Sequence, residues 1–216
     1  MNKLSRKTLF LTDMDGTLTK GSVVLDHAGY LIEKGFIQDD GSYQAWKLDV
    51  KNEKLIVAVA ENYRHQITGL KVSDLHVKEF VSEYIKKDVW YSTLDNLKEE
   101  KETFGNEVII ISGSADYLVK EVARQLGFKG VGSKYIEKNG VLTGSVIGMF
   151  GMEAKDIWIT NNVKKQDYEG LIGLGDTASD YGIFKHCEYN ILVEPTSETM
   201  EFMLKVGARI NEIKHS

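Results

Sequence analysis

Cysteine and proline are almost missing from this chain, with one of each in 216 residues. Cys187 alone cannot close an internal disulfide, which fits a reducing, cytoplasmic setting, and its surroundings carry no sign of a nucleophilic thiol. There is no Cys/His cluster of the kind that favours zinc, and the five histidines are scattered, so none is assigned a role. No apolar run approaches the ~20 residues that a membrane helix needs, so no membrane partner is expected. Basic residues are not in excess: 27 Lys+Arg against 32 Asp+Glu leave a net charge of −5. That balance argues against a nucleic-acid partner, which would favour a basic face. The first apolar stretch runs into two aspartates without a small-residue cleavage site, so no signal peptide is expected. Internal repeats, low-complexity tracts and flexible linkers are absent too. The length suits one large domain or a core with an inserted subdomain, enough to bury roughly 70% of the unfolded surface.

What is present is organised around TLFLTDMDGTL, Thr8 to Leu18. Leu9-Phe10-Leu11 is apolar enough for a buried strand, and Asp13 and Asp15 follow it with Gly16 and Thr17 directly behind. A buried parallel strand is a continuous apolar run, and function collects where such a strand stops. Two carboxylates there are costly to desolvate unless a cation or a proton offsets them. Gly16 lets the backbone turn tightly, and Thr17 adds a hydroxyl.

From residue 19 to about 94 the strand signal disappears. Leu48, Val50, Leu55, Ile56, Val59 and Ala60 are spaced for helix faces, and Leu75, Val77, Phe80, Val81, Tyr84 and Ile85 more clearly so. Ser73 or Asp74 is expected to cap the second of these helices. Tyr30, Phe36, Tyr43, Trp46 and Tyr63 also fall here; they are a small-domain core or, less simply, a cage for a cationic head group. The region reads as a small helical insert.

After Leu94 strands and helices alternate. Val108–Ile111 is a β-branched run ending in Ser112-Gly113-Ser114, and a helix follows from about Tyr117 to Leu126. Lys129 to Glu137 reads as a short strand, and Asn139-Gly140 then signals a hairpin turn leading to Val141 through Ile147. A helix carrying Lys155 comes next, then Leu171–Leu174 running into Gly175-Asp176-Thr177-Ala178-Ser179-Asp180. Ile191–Val193 is a last strand stopped by Pro195, and residues 197 to 206 read as helical. This alternation predicts an α/β fold, a parallel sheet covered on both sides, with ligands bound beyond the carboxyl ends of the strands. Three strand ends then bring together Asp13 and Asp15, Ser112, and Asp176 with Asp180. Asp116 reads as a helix-start residue.

Four carboxylates in one cleft call for a hard, oxygen-seeking cation such as Mg2+. Few carboxylates, a substrate phosphate and water complete such a site in phosphoryl transfer. An aspartate can become an acyl phosphate while its neighbour moves the proton of the leaving alcohol. Ser112, Lys155 and backbone amides near Met14 and Gly113 are candidates to offset phosphoryl charge. Lys155 is preferred for this over Lys164.

DMDGTL, IIISGS, Lys155 and GLGDTASD resemble, in order and spacing, the four motifs of the haloacid-dehalogenase-like superfamily. The insert after the first motif, and the segment NGVLTGSVI from Asn139 to Ile147, resemble its phosphoserine-phosphatase-like branch. The resemblance implies a Rossmann-like core of residues 1–19 and 95–216 with a helical cap at 20–94. It implies Asp13 as nucleophile, Asp15 as acid/base with its carbonyl on the metal, and Ser112 and Lys155 as phosphate ligands. It further implies Asp176 on Mg2+, Asp180 supporting the metal, and Met14, Gly16, Thr17 and Gly113 in the phosphate loops. Dehalogenases of the superfamily lack the second aspartate, so Asp15 favours phosphate chemistry. The ATPase pumps carry lysine where this chain has Met14.

The expectation is therefore a Mg2+-dependent phosphatase for a small phosphomonoester, working through an aspartyl-phosphate. The alternatives are a phosphotransferase or mutase with the same intermediate, and a non-catalytic phosphate-binding relative. Phosphoserine itself is disfavoured: the glutamate that phosphoserine phosphatases carry nine residues after the nucleophile is Ser22 here. Arg64 is the only arginine in the insert to stand for their carboxylate-binding residue.

Overall fold

The computed structural model describes residues 7–39, 41, 43, 53–148 and 151–214, with the backbone alone for 53–59. Strand β1 (Leu9–Thr12) is buried along its whole length. It is paired in parallel on one side with β2 (Glu107–Ala115) and on the other with β5 (Leu171–Gly175). With β3 (Lys129–Lys138), β4 (Val141–Ile147), β6 (Tyr189–Val193) and β7 (Glu212–Lys214) the sheet has the order β4-β3-β2-β1-β5-β6-β7. Every pairing is parallel except β3–β4. The architecture is a Rossmann-like α/β sheet.

The period of two along each strand splits the apolar residues between the faces. Phe10, Val108, Ile110, Leu174 and Val193 join one cluster; Leu9, Leu11, Ile109, Ile111 and Leu192 join the other. The second face is covered by α6 (Gly151–Asn162), α7 (Tyr181–Phe184) and α8 (Ser197–Lys205) through Ile159, Phe184 and Met203. The first is covered by α5 (Asp116–Leu126), α4 (Ser92–Phe104) and the helices of the insert.

Those insert helices are α1 (Val23–Glu33), α2 (Glu53–Ile67) and α3 (Val77–Tyr84). Val24, Leu31, Tyr63, Phe80 and Tyr84 lie in the same apolar cluster as Phe10 and Ile110. The insert is also tied to the hairpin by backbone bonds. Gly69 N–H donates to Leu142 O (2.9 Å), Leu142 N–H to Leu70 O (2.9 Å) and Val72 N–H to Gly140 O (3.2 Å).

One expectation is corrected. The helix predicted to start at Ser73 or Asp74 begins at Val77; a 3-10 turn, Val72–Leu75, precedes it, and His76 with φ 48° separates the two. The hairpin expected at Asn139-Gly140 is present: both residues take positive φ and fold β4 back on β3, the one antiparallel pairing of the sheet. Strand β7 carries no continuous apolar run and is placed by its parallel pairing with β6. Tyr30 and Tyr63 are buried among His27, Phe80 and Tyr135, so these aromatics are core and not an open cage. Phe36 stacks on His76 instead. Leu48, Val50 and Trp46, and the side chains of Leu55, Ile56 and Val59, lie outside the described residues. Among the described residues no helix is long and apolar enough to cross a membrane.

Candidate active site

The site forms where β1, β2 and β5 end side by side. Asp13 N–H donates to Leu174 O (3.0 Å), continuing the β1–β5 pairing one residue past the strand. The Met14 carbonyl then accepts from Leu18 N–H (2.9 Å) and Thr19 N–H (3.0 Å), which closes the loop. The Met14 side chain is fully buried in the apolar cluster and anchors that loop between the two aspartates. Gly16 has φ +81°, and a Cβ there would overlap the Asp176 carboxylate. Only glycine lets the two loops approach so closely.

Asp13, Asp176 and Asp180 each offer a carboxylate oxygen within 4.8 Å of the others. Lys155, from α6, sits inside this group: its Nζ donates to Asp13 Oδ1 (2.9 Å) and Asp180 Oδ1 (2.6 Å). Asp180 Oδ2 accepts from Asp176 N–H (2.9 Å) and Thr177 N–H (2.9 Å) at the start of a 3-10 turn. Thr17 Oγ1 donates to Asp176 Oδ1 (3.0 Å), so its hydroxyl serves the acidic group.

Burial is the largest influence on Asp13, Asp176 and Lys155. It raises Asp13 to about 7; Lys155 opposes the rise, and the charges of Asp180 and Asp15 add to it. It also holds Asp176 well above the usual carboxylate range, helped by Asp180 and Asp13. For Lys155 burial acts downward, but Asp13 and Asp180 override it and keep the ammonium above its ordinary range. One buried cation thus compensates carboxylates that burial alone would neutralise.

Asp15 stands apart from this group. Its Oδ1 accepts from Val23 N–H (2.6 Å), and its Oδ2 accepts from Ser112 Oγ (2.9 Å) and Ser114 Oγ (2.7 Å). Burial raises its proton affinity and these donors lower it, leaving it above the ordinary value. The β2–β3 register shifts between Ile111 and Ala115, where strand β2 runs on through Ser112-Gly113-Ser114. Ser133 Oγ donates to Gly113 O (2.6 Å) and pins that segment.

The structure thus joins Asp13, Lys155, Asp176, Asp180 and Thr17 in one group and Asp15 with Ser112 in an adjoining one. Lys155 is 2% exposed whereas Lys164 is exposed, which separates the two lysines. Asp116 is the first residue of α5, where its Oδ1 accepts from Gly132 N–H (3.0 Å). Burial pushes the Cys187 thiol up to about 12, which disfavours its thiolate. Arg64 donates to Gly144 O (3.0 Å) and pairs with Glu61. Ser114 was not singled out from the sequence. Its one signal was a second hydroxyl two residues after Ser112.

Motif segments meeting at the carboxyl ends of a parallel sheet, around a buried acidic centre, define an α/β enzyme. The chain belongs to the haloacid dehalogenase-like hydrolase family, whose profile matches residues 10–185. No curated protein matches the chain significantly. Among solved structures, a Bordetella pertussis Tohama I protein of unknown function is similar with a TM-score of 0.74 at 16% identity, covering 95% of this chain and 98% of that one. A substrate-bound phosphoserine phosphatase is similar with a TM-score of 0.66 at 20% identity, covering 98% and 94%. A cytosolic 5'-nucleotidase IIIB bound to cytidine is similar with a TM-score of 0.60 at 14% identity, covering 95% and 80%.

Proposed function

We propose that this chain is a Mg2+-dependent phosphatase that hydrolyses a small phosphomonoester through an aspartyl-phosphate on Asp13. The observation that carries the reading is Lys155 bridging Asp13 and Asp180 beside Asp176 in one close-set cluster. An all-oxygen, carboxylate-rich donor set fits a hard divalent cation. Asp13, Asp176 and the Asp15 carbonyl would hold it, with Asp180 supporting Asp176 through its backbone N–H. Bound there, the ion supplies charge that offsets the transferring phosphoryl group.

Asp13 Oδ attacks phosphorus as the bond to the ester oxygen breaks, and Asp15 gives that oxygen its proton. Water then attacks the acyl phosphate, its proton passes to Asp15, and the Asp13 carboxylate leaves. Lys155 and the Ser112 hydroxyl hold phosphate oxygens during both steps. Residues 1–19 and 95–216 act as the core, and 20–94 as the cap that covers the pocket and selects substrate. The bonds between Gly69–Val72 and the β3–β4 hairpin support a cap anchored on that side.

The substrate is not phosphoserine in this reading. Ser22 stands where an amino-group-binding glutamate is needed, and Arg64 is already committed to Gly144 O and Glu61. The test is turnover of a panel of small phosphomonoesters with magnesium, by the wild type and by Asp13→Asn. Turnover that is lost in a folded Asp13→Asn protein is the expected result. Undiminished turnover by that variant would sink the mechanism.

A further inference from the structure

Asp15 must present one carboxylate oxygen to the leaving group, and three donors orient it. Their fates on substrate binding differ. The Ser112 hydroxyl has a single proton, now given to Asp15 Oδ2, while its oxygen accepts Ser114 N–H (3.0 Å). A phosphate oxygen that binds Ser112 takes that proton away from Asp15. Val23 N–H stays, but it holds the other oxygen, Oδ1. Ser114 Oγ is then the side-chain donor left on Oδ2.

Ser114 is built to stay in place. It is 4% exposed. The adjacent Gly113 carbonyl is fixed by Ser133 Oγ (2.6 Å), and a Cβ at Gly132 would overlap the Ser114 carbonyl, so β3 lies hard against this segment. The side of Oδ2 that Ser112 releases is the side turned toward Ser112, from which a phosphate held by Ser112 would approach.

We infer that Ser114 is a positioning residue for the general acid, holding Asp15 Oδ2 toward the ester oxygen once Ser112 has turned to the phosphate. The inference rests on the phosphatase reading above. The step it serves is balanced: the phosphorus–oxygen bond to the alcohol breaks, its electron pair stays on oxygen, and the Asp15 proton caps it. A residue that acts only here matters when the leaving group needs a proton and is indifferent when it does not.

The experiment compares kcat/KM for phenyl phosphate and 2,4-dinitrophenyl phosphate, with magnesium, in wild type, Ser114→Ala and Ser114→Thr. Phenol, like a tyrosine side chain, has a pKa of about 10 and leaves poorly without a proton; dinitrophenolate needs none. Ser114→Ala is expected to lose about 10- to 100-fold with phenyl phosphate but less than about threefold with the dinitrophenyl ester. Competitive inhibition by inorganic phosphate should change less than about twofold, and Ser114→Thr should recover most of the phenyl phosphate loss. Equal losses on the two esters, or none, overturn the role of Ser114 and leave the phosphatase reading standing. A wild type that cleaves neither ester overturns the phosphatase reading, and the inference with it. If Ser114→Ala does not fold by circular dichroism, Ser114→Cys enters the same comparison.

Discussion

Lys155 Nζ lies 2.6 Å from Asp180 Oδ1 although the two residues are 25 positions apart and both are shielded from water. The pair matters beyond its own attraction. The same ammonium also donates to Asp13, so a single buried cation bridges two buried carboxyl groups. Removing one partner of such a group is far costlier than the group's net worth, because the survivors stay buried and uncompensated.

Lys155→Met is therefore expected to unfold more easily by about 3–5 kcal/mol in magnesium-free buffer. Urea denaturation at neutral pH measures this. Phosphatase activity should vanish in the same variant, since the ammonium proposed to hold the phosphate is gone. A midpoint within error of the wild type would contradict the charge arrangement described here.

Gly16→Ala separates the metal from the fold. The new methyl group must displace the Asp176 carboxylate, and a positive φ of 81° adds strain of about 1 kcal/mol. A cation that binds the native protein alone raises its melting temperature by mass action. That rise, followed by calorimetry across millimolar magnesium, is expected in the wild type and should be largely lost in Gly16→Ala and in Asp176→Asn. A full rise in both variants would mean that Asp176 does not hold the ion.

His27 gives a pH dependence that comes from the fold and not from the acidic pocket. Its Nε2 lies 2.7 Å from Leu75 O, and a carbonyl only accepts, so Nε2 carries the proton. Nδ1 then accepts from Tyr63 O–H (2.6 Å), whose oxygen accepts from Tyr117 O–H (2.8 Å). Burial pushes His27 down to about 4 from its ordinary 6.5; the Leu75 bond opposes this and His76 adds to it. The unfolded chain binds the proton that the folded one refuses. The stabilisation is thus full above pH 6.5 and lost as pH falls to about 4, roughly 3 kcal/mol in all. Buried carboxylates with raised pKa values act in the opposite direction, so the readout is a difference. The stability gap between wild type and His27→Asn should narrow steadily over that interval, and a constant gap would refute the assignment.

Much of the fold was legible because burial writes itself locally. Leu9–Leu11, Val108–Ile111 and Leu171–Leu174 are continuous apolar runs, and such runs mark strands buried on both faces. The pair Asn139-Gly140 announced its hairpin through the positive φ that only a few residues tolerate. The start of α3 was misjudged because His76 at φ 48° breaks a pattern whose apolar spacing runs straight through it. Strand β7 escaped notice because Glu212-Ile213-Lys214 has one apolar residue, and its place is set by pairing with β6.

The site divides in the same way. Sequence by itself determined that aspartates sit at strand ends and that Ser112 follows four apolar residues, since strand ends are readable over a few neighbouring positions. It predicted that these strand ends converge, but it had no means to say which side chain bonds to which. That Thr17 serves Asp176 across 159 positions, that Lys155 stands between Asp13 and Asp180, and that Ser114 reaches Asp15 across 99 positions were decided by tertiary structure. Periodicity is a property of adjacent residues, whereas a hydrogen bond depends on a few tenths of an ångström that only the packed sheet and helices fix.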